Sequence, residues 1–340
     1  MKPYTYALLA AAAACGLAAA ETAYTTPVGY VTTSLPAGQF TFCGLTVHSP
    51  TIAAGVIASA DSTSVTPAGT WNFTTLLTTG KTYILELPDG TIQEVSTWTA
   101  TKLNTPENIS SFITNNVTTF KLRECATVSS VFGLANSVGL KSSADGDATT
   151  VDNVIVYPTP GSSVNIYYFD ANQNGVRDSG DGDGWYTAGG TAADDFLIPY
   201  PDGFLVQRVA GAAKSLIVSG EVKTTPTKSA LGGGFNFLSS VAPVGLTLLQ
   251  SGLQNYISTS ADGNSLIVDN LIIDVAGTQT NVYYFDANQN GIRDEGDGDG
   301  WYTAGGTSAD AFTIEGGFYM SNLGASKPYV ISVPSSYSNL

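Results

Sequence analysis

A stretch of 27 residues occurs twice in this chain, NIYYFDANQNGVRDSGDGDGWYTAGGT at 165–191 and NVYYFDANQNGIRDEGDGDGWYTAGGT at 281–307. The copies differ only at Ile166/Val282, Val176/Ile292 and Ser179/Glu295, whereas the residues on either side have drifted well apart. Duplication alone would leave the flanks as alike as the centre, so a local requirement holds this segment fixed. Each copy sends an aromatic-rich run with strand character into an acidic, glycine-rich loop. The chain must therefore fold as at least two similar units, each presenting one such loop.

The loop's spacing indicates its chemistry. Asp170, Asn172, Asn174, Gly175, Asp178 and Asp181 occupy the first, third, fifth, sixth, ninth and twelfth places of a calcium-binding loop, with the Val176 carbonyl supplying the seventh. The second set is Asp286, Asn288, Asn290, the Ile292 carbonyl, Asp294 and Asp297. Calcium is a hard cation needing six to eight oxygens, and a short loop can offer them only at alternate positions. A metal-free acidic loop would crowd Asp170, Asp178, Asp181 and Asp183 against Arg177, with nothing else to hold their repulsion. Two calcium sites are expected, with dissociation constants of roughly 10⁻⁵–10⁻³ M.

Secretion fits that affinity. Lys2, the apolar run 7–14 and Ala18-Ala19-Ala20 form a signal-peptide layout with cleavage after Ala20, while acylation at Cys15 is the rival reading. No later apolar run is long enough to span a bilayer. The formal charge is −15, a surface that repels nucleic acid and anionic membranes. Cys43 and Cys125 remain after cleavage. A disulfide between them would close the intervening stretch at its neck and contribute roughly 4 kcal/mol, and two separately buried thiols are the other reading.

Abundant Gly, Ser and Thr with few charged residues, and no heptads, place the chain in the all-β class. The expected divisions are a signal peptide (1–20), N-terminal strands of the first unit (21–53) and a small inserted β-barrel-like domain (54–124). The first β unit (125–231) follows with loop 170–181, then the second (232–340) with loop 286–297. Each unit carries one short helix, at 128–136 and 246–255. QFTFCGLT at 39–46 matches GGGFNFLSS at 232–240, so the 54–124 domain interrupts the first copy. Within it Asp89-Gly90 signals a hairpin with both central residues at positive φ, and a helical turn is expected over 106–113.

The run YFDANQNGVRDSGD resembles the calcium loop of the B-type repeats of serine-aspartate-repeat surface adhesins, with Gly180 matching their glycine and Asp181 in place of their Glu. The resemblance covers only the loops and implies a calcium-rigidified surface protein. Dockerin loops are also similar and close with Asp, but the strand before this loop and the missing helix after it argue against one. The wider layout, with FTFCGLTVHSP, GFLVQR and VSGEVKT, resembles a family of secreted bacterial β-repeat proteins, a resemblance that implies no activity.

Trp185 and Trp301 follow the loops and could stack a ligand, or fill the core beneath them. His48 is the one histidine and lacks triad or zinc-ligand partners. The sequence therefore points to a non-enzymatic calcium-binding structural or adhesive protein whose partners are a surface or matrix polysaccharide or protein. A calcium-dependent carbohydrate-binding protein is the alternative, and an extracellular hydrolase the third reading.

Overall fold

In the computed structural model the described residues are 27–275 and 277–339, so the expected signal peptide (1–20) and Cys15 lie outside them. The fold is all-β, built from antiparallel sheets with three helical turns among the described residues, Phe73–Leu76, Val128–Phe132 and Leu248–Ser251. Two five-stranded sheets carry the repeated loops. The first runs Gly184–Thr187, Ser162–Phe169, Asn153–Thr159, Gly203–Gln207 and Phe40–Gly44 across its width. The second runs Gly300–Thr303, Thr278–Phe285, Asn270–Val275, Gly317–Asn322 and Gly234–Ser239 in the same order.

The repeated strands are covered on both faces where they enter the loops, with Ile166 to Tyr168 and Val282 to Tyr284 buried in succession. In Ser162–Phe169 and in Thr278–Phe285 the last turns of sequence bury Tyr167, Tyr168, Tyr283 and Tyr284, and their partner strands set Trp185 opposite Tyr168 and Trp301 opposite Tyr284. The hairpins feeding them turn at Gly161 and Gly277, whose φ of +74° and +83° would strain a side chain. The helical turns Val128–Phe132 and Leu248–Ser251 each start at a threonine cap, Thr127 or Thr247, whose hydroxyl accepts the amide of the third helical residue.

Phe40–Gly44 pairs with Gly203–Gln207 as Gly234–Ser239 pairs with Gly317–Asn322, and between Gly44 and Ala126 the first copy carries a six-stranded sheet with its own core. That sheet is a half-barrel, in keeping with the barrel-like domain expected, and it stays open because its outer strands Ile92–Val95 and Leu103–Asn104 do not pair. The hairpin at Leu87-Pro88-Asp89-Gly90 forms, but with only Gly90 at positive φ (+93°); Asp89 keeps an ordinary φ and its carboxylate accepts the Thr91 amide at 3.1 Å. The helical turn over 106–113 shrinks to a 3₁₀ turn, Ser110–Phe112. Thr227–Leu231 pairs with Lys327–Ile331, so strand pairing of the second copy starts before residue 232.

The two five-stranded sheets meet at glycines. A Cβ on Gly203 would collide with the carbonyl of Leu238, and one on Gly317 with that of Cys43. Because Gly203 pairs next to Cys43 in one copy as Gly317 pairs next to Leu238 in the other, the two contacts are equivalent: each copy offers its glycine to the other's edge strand.

Candidate metal centres

Both acidic loops leave their strands at a buried aspartate. Asp170 is 2% exposed and Asp286 1%. The Asp170 amide donates to Ser143 O, and its carboxylate accepts the amides of Asn174 (3.2 Å) and Gly175 (2.9 Å), the fifth and sixth loop positions. Asp286 repeats this with Ser260 O, Asn290 (3.4 Å) and Gly291 (3.0 Å). Gly175 and Gly291 both stand at φ +71°, which permits the fold-back. Asn174 Oδ1 accepts the Val176 amide and Asn290 Oδ1 the Ile292 amide, each at 2.7 Å. Asn172 Nδ2 donates to Asp181, and Asn288 Nδ2 to Asp297, so the third and twelfth positions already touch.

Two further carboxylates brace each loop. Asp183 is 3% exposed and accepts the amides of Ala171 (3.0 Å) and Asp178 (2.9 Å), tying the loop's start to its ninth position. Asp299 does the same for Ala287 and Asp294, at 2.9 Å each. Asp194 takes Arg177 in a two-pronged ion pair at 3.1 and 2.6 Å and also accepts the Trp185 amide. Asp310 pairs with Arg293 and accepts the Trp301 amide, both at 2.8 Å. Arg177 therefore serves as a clasp and does not neutralise the ligand carboxylates. Sequence reasoning counted Asp183 only as crowding and did not reach Asp194. The available signal was that Ala-Asp recurs at 193–194 and 309–310 within otherwise drifted flanks.

The donor set suits a hard cation in kind and order. An ionised carboxylate has about four acceptor directions, so Asp170 keeps some after its two amide bonds, and Asp178 has used one, for Gly180. Among the described residues no group of three or more His, Cys, Asp or Glu side chains converges on one point. Asn172 turns a donor toward Asp181, which satisfies one carboxylate oxygen without an ion but leaves the loop's charge in place. A cation would need that amide rotated to present Oδ1. Val176 and Ile292 lie 63% and 69% exposed at the loop tips.

The structure decides two readings that the sequence leaves open. Trp185 and Trp301, 1% and 0% exposed, are core residues and offer no face to a ligand, because strand register puts them on the inner side beside Tyr168 and Tyr284. Cys43 and Cys125 are two free thiols buried in the shared core, with no disulfide between them, and burial pushes both up to about 12. His48 is buried too, where the inserted sheet joins the first copy.

At that neck, Arg123 donates to Glu86 (3.0 Å), to Glu221 and to Ser49 O (2.8 Å), and Glu221 accepts both the amide and the hydroxyl of Thr51. His48 Nε2 lies 3.1 Å from Val241 O, which can only accept, so Nε2 carries the proton and Nδ1 is a bare acceptor with no partner. Burial lowers the imidazole from 6.5 to about 4, with Glu86 opposing the shift.

No protein-family model, no curated protein and no solved structure matches the chain. Among the described residues no helix is long and apolar enough to cross a membrane.

Proposed function

We propose that the protein is a secreted, non-enzymatic structural or adhesive protein in which calcium rigidifies two duplicated β units. The observation that carries this reading is the matched pair of loops: two separated segments place Asp, Asn, Asn, Gly, Asp and Asp in the same order, with the first aspartate buried and folded back on the fifth and sixth amides in both. Side-chain oxygens of Asp170, Asn172, Asn174, Asp178 and Asp181 with the Val176 carbonyl would hold one ion. Their counterparts at Asp286, Asn288, Asn290, Asp294, Asp297 and the Ile292 carbonyl would hold the other. The bound cation would replace the Asn–Asp hydrogen bond as the closure of each loop.

Secretion rests on the sequence pattern of residues 1–20. A structural role is favoured over catalysis because His48 is enclosed, held neutral and committed to Val241, while Glu86 and Glu221 are engaged by Arg123. The test is calorimetric titration of the mature chain with calcium, alongside melting with and without chelator, for wild type and for Asp170→Ala combined with Asp286→Ala. Two binding events and a calcium-dependent melt, both absent in the double variant, are expected. An unchanged melt and no heat at millimolar calcium would overturn the proposal.

A further inference from the structure

The buried tryptophans leave the aromatic chemistry of this protein elsewhere, at the seam between the two five-stranded sheets. There Tyr157, Gly161, Phe235, Ile272 and Tyr319 surround a cleft of about 290 Å³. Its floor is the buried group Phe42, Ile155, Leu205 and Phe237. Tyr319 lies against Phe237 with ring centres 4.3 Å apart and meets Phe42 edge-on at 5.3 Å, so its ring is fixed from behind. Phe235 is 57% exposed, and its carbonyl accepts the Gly161 amide at 3.2 Å, which ties the turn of one copy to the edge strand of the other. A Cβ at Gly161 would meet nothing within 4 Å, so that side of the cleft is open.

Two polar atoms face each other in this apolar setting. The hydroxyls of Tyr157 and Tyr319 are 2.6 Å apart. In such a pair one hydroxyl donates and the other accepts; the acceptor keeps its own proton for an outside partner and the donor keeps its lone pairs. The pair therefore offers one donor and one acceptor side by side.

We propose that this cleft binds a single neutral pyranose ring, independently of calcium. None of the five lining residues carries a charge, so an ionic ligand would lose hydration with no countercharge in return. A wholly apolar group would leave the remaining hydrogen-bonding capacity of both hydroxyls against carbon. A pyranose has an apolar C–H face for the aromatic walls and neighbouring hydroxyls on its edge for the tyrosine pair. The volume lies at the small end of ligand sites, enough for one ring. The formal charge of −15 disfavours acidic sugars.

The equivalent place in the other copy lacks these features. Strand pairing matches Tyr319 with Leu205, Ile272 with Ile155 and Phe235 with Phe40, and Tyr157, two residues past Ile155, with Asp274. Leu205 thus shows a residue that the same strand position accepts. No calcium-loop ligand lines the cleft, so this inference stands or falls apart from the calcium proposal.

The test is saturation-transfer NMR on the mature chain with the methyl glycosides of glucose, galactose, mannose and N-acetylglucosamine, each with calcium and with chelator, and with p-cresol as an aromatic control. Transfer to ring C–H protons of at least one glycoside in both conditions is expected, with about tenfold weaker binding in Tyr319→Leu and in Phe235→Ser at unchanged circular dichroism. Failure of all four glycosides, or equal binding by Tyr319→Leu, would overturn the assignment. So would capture of p-cresol alone, which would make the cleft a seat for a partner's aromatic side chain, or loss of glycoside signal with chelator, which would move the site to the loops.

Discussion

The two copies share a loop almost atom for atom and differ in what holds it up. In the first, Asp152 is fully enclosed and accepts the amides of Lys141 and Val209 (2.8 Å each) and Arg208 Nε at 3.0 Å. Arg208 is itself 2% exposed along its side chain and spends its other donors on the carbonyls of Leu35, Ala210 and Ala212. In the second, Asp269 accepts the amides of Ser258 and Leu323 in the same way, but its cation is Lys327, with a side chain 30% exposed. One copy has stapled its sheet to the neighbouring hairpin with a planar five-donor group, the other with a point charge that still reaches water. The loop is therefore the part the two copies hold in common, and the support beneath it has been solved twice.

The largest single loss is expected from Asp152→Ala, set against Asp269→Ala. Each removes an acceptor for two amides, but only the first strands a buried guanidinium. Urea unfolding of Asp152→Ala should show a loss of about 4 kcal/mol, against about 2 kcal/mol for Asp269→Ala, whose lysine can turn to solvent. Equal losses would mean that the amide bonds, and not the ion pairs, carry the difference.

Next comes the neck that only the first copy has. His48 is held neutral with its pKa near 4, whereas in the unfolded chain it titrates near 6.5, so below 6.5 the unfolded state binds the proton first. Stability from this residue is whole above pH 6.5 and falls as the pH drops toward 4, by about 3 kcal/mol in total. His48→Gln keeps an N–H for Val241 and has no proton to take up. The gap in stability between wild type and His48→Gln should shift by that amount in favour of the variant between pH 7 and pH 4. A constant gap would show that the imidazole takes up its proton at the same pH in the folded and unfolded states.

Smaller effects come from the loops themselves. At free calcium ten times the dissociation constant, Asp170→Ala and Asp286→Ala should each lose about 1.4 kcal/mol of calcium-dependent stabilisation, and the double variant the sum. A sum that falls short would mean the loops are coupled through the glycine contacts at the seam. The smallest contrast concerns the indoles. Trp185 Nε1 donates to Gly133 O at 2.9 Å, and Trp301 Nε1 has no partner. Trp185→Phe should cost about 1 kcal/mol more than Trp301→Phe in thermal melts, since only the first substitution breaks a hydrogen bond.

Much of the fold was open to reading from the chain. Alternation and turn residues identify strands locally, and a twice-written segment defines its own repeat. What escaped depended on partners distant in sequence. Asp183 reads as one more acid in an acidic loop until its two amide donors are seen twelve and five residues back. The tryptophans invite a ligand until the register with Tyr168 and Tyr284 turns them inward. Cys43 and Cys125 flank the insert in sequence, and flanking does not bring thiols together; each is taken up by the apolar core beside its own strand. The Tyr157–Tyr319 pair joins residues 162 positions apart on drifted parts of the two copies, where no internal comparison could have suggested it.

The interruption of the first copy leaves and re-enters through neighbouring strands, since Thr51 pairs opposite Arg123. Its two ends are therefore as close as adjacent strands of a sheet, about 5 Å apart. Such a place behaves as a socket: cargo can be exchanged there without re-threading the host. The second copy bridges the same gap with the short link between Ser239 and Leu246. A chain of this plan can keep its paired loops constant while carrying different passengers at one fixed address.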